Sequence, residues 1–425
     1  MAHAYQVDDK PRMTLTRYQE IALSTNRLTK DVNARDYLRF GVFGEIGGLL
    51  ALIKKAKREL VAADHNAVTE EIGDALWYIA NVAHAYELSL NAVGASAMAD
   101  LHERFGMSGP VDGDLAFTQF NGLMDLCNGK LPVGDLGSLL REVAVHTGKL
   151  LQPDSIDAES APQIAGLLAT LLADLVTLAA VYHQRISEIA EWNVDKIRSR
   201  WPVEGTRHTP LFDAERNELE QFPRDFRMHF IQRSPPDDRG NPYVIQRLND
   251  VNIGDRLTDN RTQADGYRFH DVFHLAYMVH LGWSPVLRAL LKVKRKSDAK
   301  LDENQDGARA IIIEEGVATW IFNQAYRRDY FRHVEVGRLD YNLLKQVRDM
   351  VDGFEVDQCP LWQWERAILD GFKAFNSLYE SGGGIIHCNL DDRILEWEPA
   401  PQVACSTAQP AQIRPVLVGA LPPSE

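Results

Sequence analysis

Two stretches decide the fold: Phe43-Gly-Glu-Ile-Gly-Gly-Leu-Leu-Ala-Leu-Ile-Lys-Lys55 and Glu70-Glu-Ile-Gly-Asp-Ala-Leu-Trp-Tyr-Ile-Ala80. Apolar residues recur in both at three- and four-residue steps, and good helix formers fill the gaps, so both read as helices. Glu71 and Asp74 are spaced i,i+3 and leave one face of one helix. Glu45 sits among Gly44, Gly47 and Gly48, which are expected to let a neighbour come close. A short connection packs two helices antiparallel, which brings Glu45 opposite Glu71 and Asp74. Three carboxylates from two helices offer oxygen donors alone, the set that suits Mg2+ or Mn2+. Single acidic pairs on helices are mostly solvated. This one runs straight into the apolar Ala75-Leu76-Trp77-Tyr78-Ile79-Ala80, where a carboxylate needs a partner or a metal.

The 425 residues allow two or three domains, and 45% hydrophobic content allows a sizeable core. A net charge of −14 argues against stable nucleic-acid binding and against an anionic membrane surface. No apolar run is expected to reach 18 residues, and the N-terminus lacks an apolar signal core. Four cysteines without a CxxC spacing point to a reducing compartment and no thiolate zinc site. A cytoplasmic protein is expected.

Along the chain, residues 1–12 read as loose. Helices are expected from Thr14 or Thr16, over Tyr37–Lys57, from Ala67 to about Leu88, and from about Asn91 to Phe105. Gly106–Gly113 is a breaker cluster. Residues 114–202 resemble a worn copy of 12–106, with Glu142 laid on Glu45, Asp174 on Asp74, and Leu171 where the first copy has Glu71. Past Pro202, alternation in Phe226–Arg233 and Tyr243–Arg247 around a Pro235–Pro242 turn predicts a β-hairpin. Helices follow from Asp265 to about Glu380, then a Gly-rich turn and a short extended piece. Residues 396–425 are expected to be a disordered tail. The fold class is mainly α: two four-helix-bundle repeats, then a helical domain over 205–395 with a small hairpin.

Met13-Thr-Leu-Thr-Arg-Tyr-Gln-Glu-Ile-Ala-Leu-Ser-Thr25, the two stretches quoted above, and Ile189-Ala-Glu-Trp-Asn193-Val-Asp-Lys196-Ile-Arg-Ser-Arg-Trp-Pro202 resemble MazG-type all-α nucleoside triphosphate pyrophosphohydrolases. The resemblance covers about residues 12–202. Of the family's ExxE and ExxD acids, Glu45, Glu71 and Asp74 are present, and Gly48 stands at the fourth position. The tandem arrangement is similar to that of the all-α dimeric dUTPase-like enzymes. The resemblance implies hydrolysis of an NTP or dNTP to the monophosphate and pyrophosphate with Mg2+ or Mn2+, and a homo-oligomer is expected. Glu45 or Glu71 would orient the water, Lys54 and Lys55 would meet phosphate, and Trp77 and Tyr78 would stack a base. Asn193 and Lys196, which match the family's Asn-x-x-Lys, would complete the site from the second copy. The loss at Gly48 keeps a second reading open, a degenerate nucleotide-sensing module coupled to a C-terminal effector domain.

A second constellation lies in the C-terminal extension. His270 and His274 are i,i+4, a metal-ligand spacing, and Asp271 adjoins them. Glu314 and Glu315 sit in an apolar helix and want a partner, so the four form a candidate transition-metal site. The alternative is two structural histidines, with the acids paired to Arg268, Arg288 or Arg309. The basic run Leu291–Ser297 either holds phosphate or is a solvated face.

Overall fold

The structure is a computed structural model that describes residues 12–28, 32–111, 113–132, 135–152, 160–235 and 240–400. The expected loose N-terminus up to residue 11, the tip of the Pro235–Pro242 turn (236–239) and the expected disordered tail from 401 onward lie outside these residues. The first residues of that expected tail, 396–398, are corrected to the end of a strand. The chain divides into two compact units between Thr206 and Arg207.

The first unit is helical. Helix α1 (Leu15–Ser24) starts where Thr14 accepts a hydrogen bond from the Arg17 N–H. Helix α2 spans Ala34–Glu59, and α3 spans His65–Ala85 behind Asp64, whose carboxylate accepts from the N–H groups of Asn66 and Ala67. Helix α4 (Leu90–Phe105) ends on Gly106 in the left-handed region. Four more helices follow: α5 (Phe117–Leu126), α6 (Leu136–Leu150), α7 (Ser160–Val181) and α8 (Ile186–Arg200). One apolar core runs through all eight and joins the two stretches compared as repeats. Their last helices are exchanged: α8 packs chiefly on α3 and α4 chiefly on α7.

The expectation of no long apolar run is corrected by α7. Ala161–Val181 has the length and composition to cross a membrane, with a mean hydropathy of 2.2, but 72% of that window is buried in the protein. It is a core helix, and its one charge, Asp174, is fully buried. Arg104 Nη1 on α4 meets Asp174 Oδ1 at 2.6 Å, and His146 Nδ1 lies 2.7 Å from Oδ2. Asp174 thus has a built-in cation, and Glu142, laid on Glu45 by sequence, is exposed.

In the second unit the expected hairpin is part of a five-stranded antiparallel sheet, ordered β3-β2-β1-β4-β5. The strands are β1 (Asp225–Arg233), β2 (Tyr243–Leu248), β3 (Val251–Leu257), β4 (Gly383–Asn389) and β5 (Ile394–Glu398). Strand β3 hides in the sequence because it is mostly exposed and lacks a clean two-residue alternation. Strand β4 hides because it opens on Gly383-Gly384, with φ of +131° and +148°. A Cβ on Gly384 would strike the Trp397 indole, so this turn-like pair is where the strand presses closest on its neighbours.

Helices α9 (Asp271–Leu281), α10 (Pro285–Leu290), α11 (Ala299–Asn304), α12 (Ala308–Tyr326), α13 (Tyr341–Met350) and α14 (Leu361–Ser381) complete this unit. Every residue of α9 is buried. It packs on α14, which also covers β4 and β5. Within the basic run Lys292 and Lys296 are exposed, but Arg295 is turned inward. Arg295 is fully buried and donates to Asp306 at 2.7 Å and to Glu355 at 2.6 Å, while Arg288 meets Asp213 at 3.0 Å.

Replacing Arg104 by Met leaves the buried Asp174 with His146 alone. Breaking a buried pair in this way costs roughly 3 kcal/mol, and equilibrium urea denaturation is expected to show it. A loss below about 1 kcal/mol would mean that Arg104 is not the counter-ion that matters.

Candidate active site

Helices α2 and α3 do bring Glu45, Glu71 and Asp74 together, all three half-buried. A side-chain hydrogen bond links the Glu45 and Glu71 carboxyl groups; it raises the pKa of Glu45 and lowers that of Glu71. Burial, then the Asp74 and Glu71 charges, push Glu45 up to about 8 from its usual 4.5. Glu71 is raised as well, by burial and then by Asp74 and Glu70. Lys196 on α8 opposes this: its Nζ lies 2.5 Å from Asp74 Oδ2 and 3.1 Å from Glu70 Oε1. Asn193 Nδ2 donates to Asp74 Oδ1 at 3.0 Å. Glu70, adjacent to the site in sequence, is therefore part of it.

Tyr18 on α1 was not among the expected site residues. It is fully buried, and its hydroxyl donates to Asn193 Oδ1 at 2.8 Å. That contact turns the Asn193 amide so that its N–H faces Asp74. Tyr18 lies inside the quoted Met13–Thr25 motif, but only the packing of α1 against α8 gives it this role.

The glycines divide differently from the expected pattern. Gly44 and Gly47 face open space, whereas a Cβ on Gly48 would land on the Glu71 carboxylate, and one on Gly41 would land on the Tyr78 ring. Gly48, the position of the absent fourth acid, is the seat of Glu71. Tyr78 lies beside the cluster, and burial followed by the Glu45 and Asp74 charges raises its hydroxyl pKa. Trp77 is pinned through Nε1 to Thr25 Oγ1 at 3.1 Å. Lys54 and Lys55 are both exposed. Lys54 is about half a turn out of phase with Glu45, whereas Lys55 is about two full turns past Gly48 and leaves the same side of α2.

The His/Glu constellation of the second unit also assembles, with altered roles. His270 and His274 rise from the start of α9. Nδ1 of His270 lies 2.9 Å from the Tyr267 carbonyl, and its ring stacks on Tyr267 at 4.3 Å. His270 Nε2 is 3.1 Å from Asp271 Oδ1, while Asp271 Oδ2 accepts from Gln246. Fully buried Glu314 is not placed as a metal ligand. Its Oε1 faces His274 Nδ1 at 2.8 Å and accepts from Ser284 Oγ at 2.6 Å, and its Oε2 accepts from the Val286 N–H at 2.8 Å. Glu315 Oε1 is 3.6 Å from His274 Nε2. Burial works against the charged His274 ring, but Glu314 and Glu315 outweigh it and hold its pKa well above the usual range. Of the three alternative arginine partners, Arg268 pairs with Asp259 and Arg288 with Asp213, and Arg309 is exposed.

Residues 207–401 match the family model of the MazG C-terminal domain. Over these residues the second unit is similar to the MazG C-terminal domain. The match falls outside residues 12–202, which carry the resemblance to the pyrophosphohydrolases, and it is consistent with a MazG-like family member in a nucleotide-related role. No curated protein and no solved structure matches the chain.

The raised Glu45 gives a signed pH dependence. A carboxyl whose folded pKa exceeds its unfolded value stabilises the fold at low pH, and that contribution fades as pH rises from 4.5 through about 8. Without divalent metal, the first unit is expected to melt lower at pH 9 than at pH 6, and Glu45→Gln is expected to flatten the slope. Superimposable pH profiles for the two proteins would contradict the assignment.

Proposed function

We propose that this chain is a metal-dependent nucleoside triphosphate pyrophosphohydrolase, acting on NTP or dNTP. The observation that carries the reading is the gathering of Glu45, Glu71 and Asp74, with Glu70 beside them, at one place on two facing helices. The donor chemistry fits Mg2+ or Mn2+: carboxylate oxygens alone, where burial and then mutual repulsion lift Glu45 to about 8, and a divalent cation would relieve that repulsion. Glu45, Glu71 and Asp74 would hold the ion. When bound, it neutralises phosphate charge and acidifies a coordinated water.

The chain's own groups account for the rest. Glu45 or Glu71 would take the proton of the attacking water. Water oxygen bonds to the α-phosphorus, the bond from that phosphorus to the α,β-bridging oxygen breaks, and pyrophosphate leaves. Asn193 and Lys196 hold and orient Asp74, with Tyr18 behind Asn193. Lys55 lies on the side of α2 from which it can reach phosphate, and Tyr78 offers a ring to a base.

Gly48 favours a second reading, a nucleotide sensor that binds without turnover. Pyrophosphate release from a panel of NTPs and dNTPs with Mg2+ or Mn2+ separates the two. Turnover is expected in the wild type, with a loss of about 10²–10⁴-fold in Glu71→Gln and abolition by a chelator. Binding without turnover, together with activity gained by Gly48→Glu, would establish the sensor instead. Gly48→Ala tests the seat of Glu71: its methyl displaces that carboxylate, and weaker Mg2+ binding is expected by calorimetry.

A further inference from the structure

The second unit contains a site that the pyrophosphohydrolase reading does not use. We propose that it binds one divalent transition metal ion through His270 Nε2, Asp271 Oδ1 and His274 Nε2. These residues offer ligand atoms that all lie within 4.8 Å of one another. The 3.1 Å between His270 Nε2 and Asp271 Oδ1 is close to the spacing of two ligands that each stand about 2.1 Å from one ion.

Three features of the surroundings favour a metal over a structural cluster. His274 Nε2 is fully buried and has no hydrogen-bond partner, a condition that costs about 1–3 kcal/mol unless something binds there. Each ligand is also held from behind. The Tyr267 carbonyl takes His270 Nδ1, Gln246 takes the second oxygen of Asp271, and Glu314 takes His274 Nδ1. Contacts of that kind fix the tautomer and aim the remaining atom at an ion. Glu314 is itself held by Ser284 and the Val286 N–H, so its position does not depend on the histidine.

The competing arrangement is a His274 imidazolium clasped between Glu314 and Glu315. It requires Nε2–H to reach Glu315, and 3.6 Å is beyond hydrogen-bond range. The half-exposed Glu315 stands instead where a fourth ligand, or the partner of a bound water, would be. Two imidazoles with carboxylate oxygen suit zinc, cobalt, manganese or iron rather than Mg2+.

The test uses the full chain, stripped with chelator and then loaded with Co2+ in excess Mg2+, which occupies the acidic cluster. One equivalent of Co2+ is expected to survive gel filtration, with visible d–d absorption. His270→Gln and His274→Gln are each expected to lose it, Glu314→Gln to bind about 10–100-fold more weakly, and Glu71→Gln to keep it. His270 sits at the edge of the site, so His270→Gln carries the test if His274→Gln does not fold. Wild type that retains no Co2+ overturns the site, with a histidine NMR signal of doubly protonated His274 identifying the imidazolium instead. Undiminished Co2+ in a folded His270→Gln protein overturns it equally.

Discussion

A carboxylate on an apolar helix face has to find positive charge, and in the first unit that charge comes from the other repeat. Asp74 on α3 meets Lys196 of α8, and Asp174 on α7 meets Arg104 of α4. The exchange of last helices is therefore electrostatic as well as apolar. Its two halves differ in one respect. Asp174 is sealed from solvent by an arginine and a histidine, whereas Asp74 keeps company with Glu45, Glu71 and Glu70. Asp174 is held in a structural ion pair, and Asp74 stands in a cluster with surplus negative charge. Surplus charge at a half-buried place is costly as a structural device and useful as a cation site.

The second unit meets the same constraint with different parts. Helix α9 is buried on all sides, so every polar group it carries must be answered from neighbouring elements. Most are: Asp271 by Gln246 on β2, and His274 Nδ1 by Glu314 on α12. His274 Nε2 and the ring nitrogens of His280 lack a hydrogen bond, although His280 Nε2 lies 3.1 Å from Asp370; of these, His274 is the residue that gathers with His270 and Asp271. Among the arginines, Arg288 and Arg295 are spent on Asp213, Asp306 and Glu355, which ties the loop after α10 into the core. The basic appearance of Leu291–Ser297 is thus partly internal wiring.

Much of this was legible in the residues. Helix periodicity located α1 to α4 within a few positions, and the i,i+3 pair Glu71/Asp74 named the face that Glu45 meets. The His270/His274 spacing likewise marked a real cluster. Other features were hidden for definite reasons. Strands β3 and β4 lack alternation, one because it is exposed and the other because it begins with two glycines. Three glycines in a row of five looked equivalent, yet only Gly48 is covered, because only it faces α3.

What the sequence determined by itself is local: which segments coil, which faces are apolar, and which acids and histidines share a turn. Periodicity and spacing are properties of neighbours along the chain, so they can be read without a fold. What only the tertiary structure decided is the assignment of partners over long separations. Tyr18 behind Asn193, Lys196 between Glu70 and Asp74, Arg104 on Asp174, and Glu314 as the orienter of His274 rather than a ligand all depend on helix packing. Burial then sets the chemistry, because the same carboxylate is a solvated charge, an ion-pair partner or a metal ligand according to which donors the packing places against it.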